Sequence, residues 1–248
     1  MRIFVIADLH LALSVDKPMD LFGKRWENHQ ERLEQHWRDL VGPEDAVLIP
    51  GDISWGLRLD EARADLEFIH SLPGEKILMR GNHDYWWSTV GKLKRTCKEE
   101  GWDSLRFLQT NALPVGEKVV VAGSRGWILE DDPKFSEEED RKILEREKIR
   151  LELSLKEAKA FQNEGRRLIV MTHYPPFNKN AKPNEVTSLI RQYNAETAFF
   201  GHIHQAHSPY HMSQRVVDGV PYSLIAADYL AFRPSLVLDD TLPAPQRK

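Results

Sequence analysis

Five short runs of almost unbroken apolar residues, at 2–7, 46–50, 76–79, 168–171 and 198–200, each stop at a polar block. Runs of this length without in–out alternation are the pattern of strands covered on both faces. The chain is thereby constrained to an α/β fold in which layers pack on either side of a sheet. Open α/β sheets place their ligands at the carboxyl ends of their strands. The blocks at those ends are Asp8-Leu9-His10, Gly51-Asp52, Gly81-Asn82-His83-Asp84, His173 and Gly201-His202-Ile203-His204.

Further strands read at 119–122, 215–217, 222–226 and 235–238; the last three, with Asp218-Gly219 among their turn residues, suggest an antiparallel meander. Helical periodicity covers 27–40, 60–72 and 89–100. The longest candidate runs from 136 to about 162, with Ser136 and Glu139 as a capping box and Gly165 as a stop. Leu144, Leu151, Leu155, Ala158 and Phe161 lie near one of its faces. Its balanced charges read as a solvated helix held down by that stripe, the sharper alternative being a lid or dimer-forming element.

At 248 residues the chain can bury a proper core without disulfides and reads as one domain, 1–248, with a helical insertion at about 136–163. The lone Cys97 and the lack of any apolar run long enough for a signal h-region or a membrane span point to a cytoplasmic protein. A net charge of -4 argues against a dedicated nucleic-acid binder and favours a small phosphorylated substrate.

Taken in order, the five blocks supply what a two-metal phosphoester-hydrolysing site needs. Two divalent metals about 3.5–4 Å apart acidify a bridging water and clamp the attacked group. Holding two cations that close needs an anionic bridge, for which Asp52, alone after a glycine at a strand end, is the candidate. Gly51 and Gly81 remove side chains where the backbone must turn sharply. Asp8 and His10 are two apart and can point to one side of an extended strand, as can His202 and His204. Asn82 offers a neutral carbonyl oxygen. Imidazoles and oxygens without thiolates suit manganese, iron, zinc or cobalt. His83 is placed to donate a proton to the leaving oxygen or to clamp phosphate, with Asp84 fixing its tautomer.

In this order the blocks resemble the calcineurin-like metallophosphoesterase superfamily, over nearly the whole chain from Asp8 to His204. The resemblance implies a four-layer α/β/β/α sandwich of two mixed sheets with two divalent metals at one end, manganese being favoured. It implies Asp8, His10, Asp52 and His204 on one metal, Asp52, Asn82, His173 and His202 on the other, and His83 with Asp84 as the catalytic pair. Within the superfamily, residues 51–55 and Tyr85-Trp86-Trp87 are similar to a bacterial branch of predicted phosphohydrolases. The Ser/Thr protein phosphatases carry an aspartate and arginine shortly after the second block, where Ile53-Ser54-Trp55-Gly56 stand here. The function read is hydrolysis of a phosphate ester by a metal-bridging hydroxide. The rivals are a phosphodiesterase acting on cyclic nucleotides or nucleic-acid ends, and a non-catalytic scaffold.

Arg80 precedes the third block and is a candidate phosphate contact, or else the partner of an acidic neighbour. Trp55, Trp86 and Trp87 can form an aromatic wall, with core packing expected of at least one. Tyr174-Pro175-Pro176 makes a rigid turn that aims His173. Lys179 and Lys182 meet a substrate phosphate or face water. His29, His36, His70, His207 and His211 read as surface or turn residues, with His207 near the rim.

Overall fold

The computed structural model describes residues 1–204 and 215–239. Two mixed sheets are present. The first has the order β11-β1-β2-β3-β4, with β1 (Arg2–Val5), β2 (Ala46–Pro50), β3 (Glu75–Met79) and β4 (Leu105–Leu108) parallel and β11 (Ser235–Asp239) antiparallel to β1. The second has the order β5-β6-β7-β8-β10-β9. Its parallel centre is β6 (Val119–Ser124), β7 (Arg167–Thr172), β8 (Thr197–Phe200) and β10 (Val220–Leu224), with β5 (Leu113–Val115) and β9 (Arg215–Val217) antiparallel at the edges.

Alternation along each strand sorts its side chains into layers. Phe4, Val47, Ile49 and Leu78 face a cluster with Leu33 and Trp37 of α1 (His29–Leu40), Leu66 and Ile69 of α2 (Arg63–Ser71) and Leu93 of α3 (Val90–Glu100). Their neighbours Ile3, Val5, Leu48 and Ile77 meet Val119, Val121, Ile169 and Met171 of the second sheet. On the far side Val120, Leu168 and Val170 pack against Leu151, Leu155 and Ala158 of α4 (Arg141–Asn163) and Ile190 of α5 (Glu185–Gln192). This is the α/β/β/α sandwich, and it explains the missing polar alternation: the strands behind the five apolar runs, β1, β2, β3, β7 and β8, have an apolar layer on both sides.

Two expectations are corrected here. The antiparallel meander holds only for β9 and β10, joined through Asp218 and Gly219, both at positive φ; β11 leaves that sheet to pair with β1. The long helix begins at Arg141, directly after Asp140, which makes no side-chain capping bond, and Ser136 instead accepts from the Glu139 N–H in a preceding turn. That helix is the crossover between β6 and β7, with Leu144, Leu151, Leu155 and Ala158 buried, and so is part of the second sheet's outer layer. Thr89 caps α3 through the Lys92 N–H. Among the described residues no helix is long and apolar enough to cross a membrane.

The two sheets join where the site lies. The Ala7 N–H donates to the Ile225 carbonyl at 2.9 Å and the Ala227 N–H to the Ala7 carbonyl at 2.8 Å, stitching the exit of β1 to the exit of β10.

Candidate metal centre

All five blocks converge at this end, each just beyond its strand: Asp8 and His10 after β1, Asp52 after β2, Asn82 to Asp84 after β3, His173 after β7, and His202 and His204 after β8. The loops brace one another, the Asp8 N–H donating to the Gly51 carbonyl at 2.9 Å and the His10 N–H to the Asp52 carbonyl at 3.0 Å. Four of these residues sit in left-handed backbone: Asp8 (φ 60°), His10 (φ 48°), Asp52 (φ 51°) and His202 (φ 69°). Non-glycine residues adopt this region at a cost and concentrate in functional sites when they do. The close approach needs glycine at Gly81, where a Cβ would overlap the Asp52 carboxylate, and at Gly51, where it would come within 2.6 Å of the Gly81 backbone.

One ligand atom from each of Asp8, His10, Asp52 and His204 lies within 4.8 Å of the other three. The Nε2 atoms of His10 and His204 face each other at 3.1 Å. Beside this group, Asn82 Oδ1 is 2.7 Å from His173 Nε2 and 2.8 Å from His202 Nδ1. Asp52 joins the two sets, with Oδ1 3.4 Å from His173 Nε2 and Oδ2 3.7 Å from His10 Nε2. Its Oδ2 is buried with no hydrogen-bond partner among the described residues. A bare carboxylate oxygen in a buried nest of imidazoles fits a bound cation, since an orphaned buried acceptor is otherwise costly. The donor set of carboxylates, imidazoles and one amide oxygen suits a divalent metal of the manganese-to-zinc series.

The electrostatics agree. Burial pushes Asp8 up to about 7 against the pull of His204 and His173. Burial also acts to raise Asp52, but the charge of His173 and the bond from it win and hold it well below the usual carboxylate range. Burial drives His10 well down and His202 down to about 3, leaving their nitrogens free as ligands. A divalent cation would stabilise the charged carboxylates that burial disfavours.

The His83 N–H donates to Asp52 Oδ1 at 2.8 Å, while its half-buried ring lies 4.5 Å from that of Trp55 and makes no hydrogen bond among the described residues. The pairing of His83 with Asp84 is not found. Asp84 Oδ1 accepts from the backbone of Ile53 (2.9 Å) and Ser54 (3.2 Å) and from Trp86 Nε1 (3.0 Å), and Oδ2 from the Gly81 N–H (2.7 Å). Three backbone donors and an indole turn this carboxylate into the protein, so it locks the second and third loops together and holds no proton partner for His83.

The tryptophans divide. Trp86 and Trp87 are core residues, whereas Trp55 stacks on His10 with centroids 4.9 Å apart at 26°. Arg80 forms no hydrogen bond or ion pair among the described residues, its buried Nε included, and its charge bears on Arg125. Tyr174 packs against both histidines, its ring 5.6 Å from that of His173 and 4.1 Å from that of His202. Of the histidines read as surface residues, His29 is buried against Trp26 and Phe232; His207 and His211 lie outside the described residues.

Sequence reading missed Asp228, whose Oδ1 is 3.2 Å from His204 Nδ1, and Arg25, which holds Asp228 Oδ2 at 3.0 Å. A signal existed: Asp228 follows the 222–226 apolar run as the other blocks follow theirs.

Comparison with known proteins agrees with this geometry. A family model, calcineurin-like phosphoesterase, matches residues 1–206. The gene 66 protein of Mycobacterium phage L5 is 43% identical over 58 residues, 23% of this chain and 28% of that protein, so the match spans well under a third of the relative. The crystal structure of AQ665 from Aquifex aeolicus, a protein of unknown function, superposes with a TM-score of 0.51 at 16% identity over 95% of both chains. A second solved structure gives 0.51 at 14% identity, over 90% of this chain and 89% of the other. At these identities the likeness speaks for the fold alone. With most of its length matched by the family model and its donor residues gathered at one end of a two-sheet sandwich, the chain belongs to the calcineurin-like phosphoesterase family.

Proposed function

We propose that this chain is a dinuclear-metal phosphohydrolase that cleaves a small phosphate ester. The observation that carries the reading is Asp52, whose two oxygens face two separate donor sets. Asp8, His10 and His204 with Asp52 would hold one divalent cation, and Asn82, His173 and His202 with Asp52 the other. Bound there, such cations supply an acidified water and neutralise charge on the phosphoryl oxygens.

The chain's own groups do the rest. Asp52 keeps the two donor sets in register, and Asp84 fixes the loops that carry Asp52 and Asn82. His83, whose ring makes no hydrogen bond among the described residues, is the proton donor to the leaving oxygen. Arg80, whose guanidinium has no hydrogen-bond or ion-pair partner among the described residues, contacts phosphate. Manganese is the favoured metal, and a small phosphorylated molecule the substrate.

The test is turnover of p-nitrophenyl phosphate and of bis(p-nitrophenyl) phosphate by chelator-treated protein reloaded with manganese, iron(II), zinc or cobalt. The expected result is metal-dependent release from the monoester that Asp52→Asn abolishes. Faster turnover of the diester would make the protein a phosphodiesterase. Absence of metal binding at saturating manganese would overturn the reading.

A further inference from the structure

Next to the metal centre lies a cavity of about 350 Å³ that neither the metals nor the catalytic groups would fill. It shares His202 with the site, so the cavity borders the donor set directly. Its walls are aromatic and aliphatic: Trp127, Leu129, Tyr174, Phe177 and Ile203.

The aromatic part is built and anchored. Trp127 and Tyr174 have ring centroids 5.1 Å apart, and Tyr174 in turn lies 4.1 Å from His202, so one chain of rings leads from the cavity to a metal-ligating histidine. Trp127 is held by its Nε1–H, which donates to Asp140 at 2.8 Å, and by the Arg125 guanidinium over its ring at 4.6 Å. The exposed or half-exposed residues at the opening balance in charge, Asp131 and Asp132 against Lys134 and Lys179. A cavity meant for a second anionic group would carry an excess of cations. Asn178, which also lines it, offers an amide that both donates and accepts.

Resting on the phosphohydrolase reading, the geometry points to a substrate-specificity pocket walled by Trp127 and Tyr174 that takes an uncharged, planar heteroaromatic group carried by the phosphate ester. A cavity of a few hundred cubic ångströms with apolar walls and few polar groups is the ordinary form of a ligand site. Flat heterocycles gain from stacking on aromatic side chains whatever their edge pattern.

The experiment compares esters with the same primary-alcohol leaving group, so that chemistry cancels: adenosine 5′-monophosphate and ribose 5-phosphate. With manganese-loaded protein, kcat/KM for the nucleotide is expected to exceed that for the sugar phosphate by about tenfold or more. Trp127→Ala should bring the ratio near one, and Trp127→Phe should restore much of it. Because Trp127 also anchors α4, Asn178→Trp, which fills the cavity without touching that anchor, is the second variant and should likewise collapse the ratio. In a separate arm, adenosine is titrated by NMR into chelator-treated protein, with saturable binding expected that Asn178→Trp removes. Equal turnover of the two esters, or a ratio that survives both the Ala and the filling substitution, would overturn the pocket while leaving the phosphohydrolase reading standing. If neither ester turned over, the phosphohydrolase reading would be the one in difficulty, and adenosine binding alone would decide the pocket.

Discussion

Asp228 stands behind His204, its Oδ1 3.2 Å from the Nδ1 of the imidazole whose Nε2 faces His10. The other oxygen of Asp228 accepts from Arg25 at 3.0 Å, and the same arginine nitrogen donates to the His204 carbonyl at 2.9 Å. A carboxylate at Nδ1 holds the proton there and leaves the Nε2 lone pair toward Asp8, His10 and Asp52. Arg25, from the 3-10 turn Lys24–Trp26, thus steers a group far away in sequence.

Replacing Asp228 by alanine is therefore expected to weaken metal binding by about 10–100-fold, the usual effect of losing such a partner. Competition between the protein and a fluorescent chelator for manganese measures it. Arg25→Gln should shift affinity in the same direction by less. An unchanged dissociation constant for Asp228→Ala would remove Asp228 from the site's support.

The metal-free protein should lose stability as pH rises from about 6.5 to 8. Burial acts to lower His173, but Asp52 and Asp8 outweigh it and raise the imidazole to about 9. His204 is raised too, with burial opposing and the Asp228 bond and nearby carboxylates prevailing. Groups raised on folding contribute stability that is complete below their unfolded pKa and is lost as pH climbs through the folded one. Asp8, lifted by burial to about 7, works in the same direction, but only up to about that pH. The lowered His10 and His202 oppose this only below about 6.5, and Lys76, which burial lowers to about 8, only above about 8. Each raised group gives at most about 1.4 kcal/mol per pH unit. Thermal melts of chelator-treated protein across this window should fall, and added manganese should flatten them. A metal-free melting temperature that rises from pH 6.5 to 8 would contradict the charge arrangement.

Much of this site was legible because its sequence pattern and its geometry have one cause. A strand with an apolar layer on each side cannot alternate, so the first polar residues after it mark where it leaves the sandwich, and five such exits carry the donors. What was illegible depends on contacts between distant segments. The 105–108 and 113–115 strands are four and three residues long, the second with Pro114 at a sheet edge, too short to show a period. Nothing local to 235–239 says that it pairs with β1 in the other sheet. Asp84 was read as the partner of His83 from adjacency and from the family resemblance, yet the backbone donors that capture it come mainly from the loop after β2. Asn184 makes a capping box with Thr187, and the eight-residue helix it starts rests on packing rather than on a long periodic stripe.

Cys97 should be inert in the folded protein. It is buried on the inner face of α3, and burial pushes its thiol up to about 11. Only the thiolate reacts, and a rise of that size from the ordinary value lowers the thiolate fraction near pH 8 by about 100-fold. Iodoacetamide at pH 8, followed by mass spectrometry, should label native protein at least that much more slowly than protein in urea. As the chain has one cysteine, the reading is unambiguous. Equal rates would show that α3 opens readily.

His83 provides the sharpest division between holding metal and moving a proton. Its backbone N–H reaches Asp52, so a side-chain truncation leaves that bond in place. His83→Ala should therefore retain metal with nearly wild-type stoichiometry. On an alkyl phosphate, whose leaving alkoxide needs a proton, the rate should fall by about 10²–10⁴. On p-nitrophenyl phosphate, whose leaving phenolate is stable unprotonated, the loss should be less than about tenfold. Burial is the largest influence on the imidazole and lowers it below the ordinary histidine value. A donor acts in its protonated form, so the wild-type rate on the alkyl ester should decline as pH rises through that lowered value, and the variant should lack the decline. Equal losses on both esters would instead mean that His83 clamps the phosphate, and full activity on the alkyl ester would take it out of the reaction altogether.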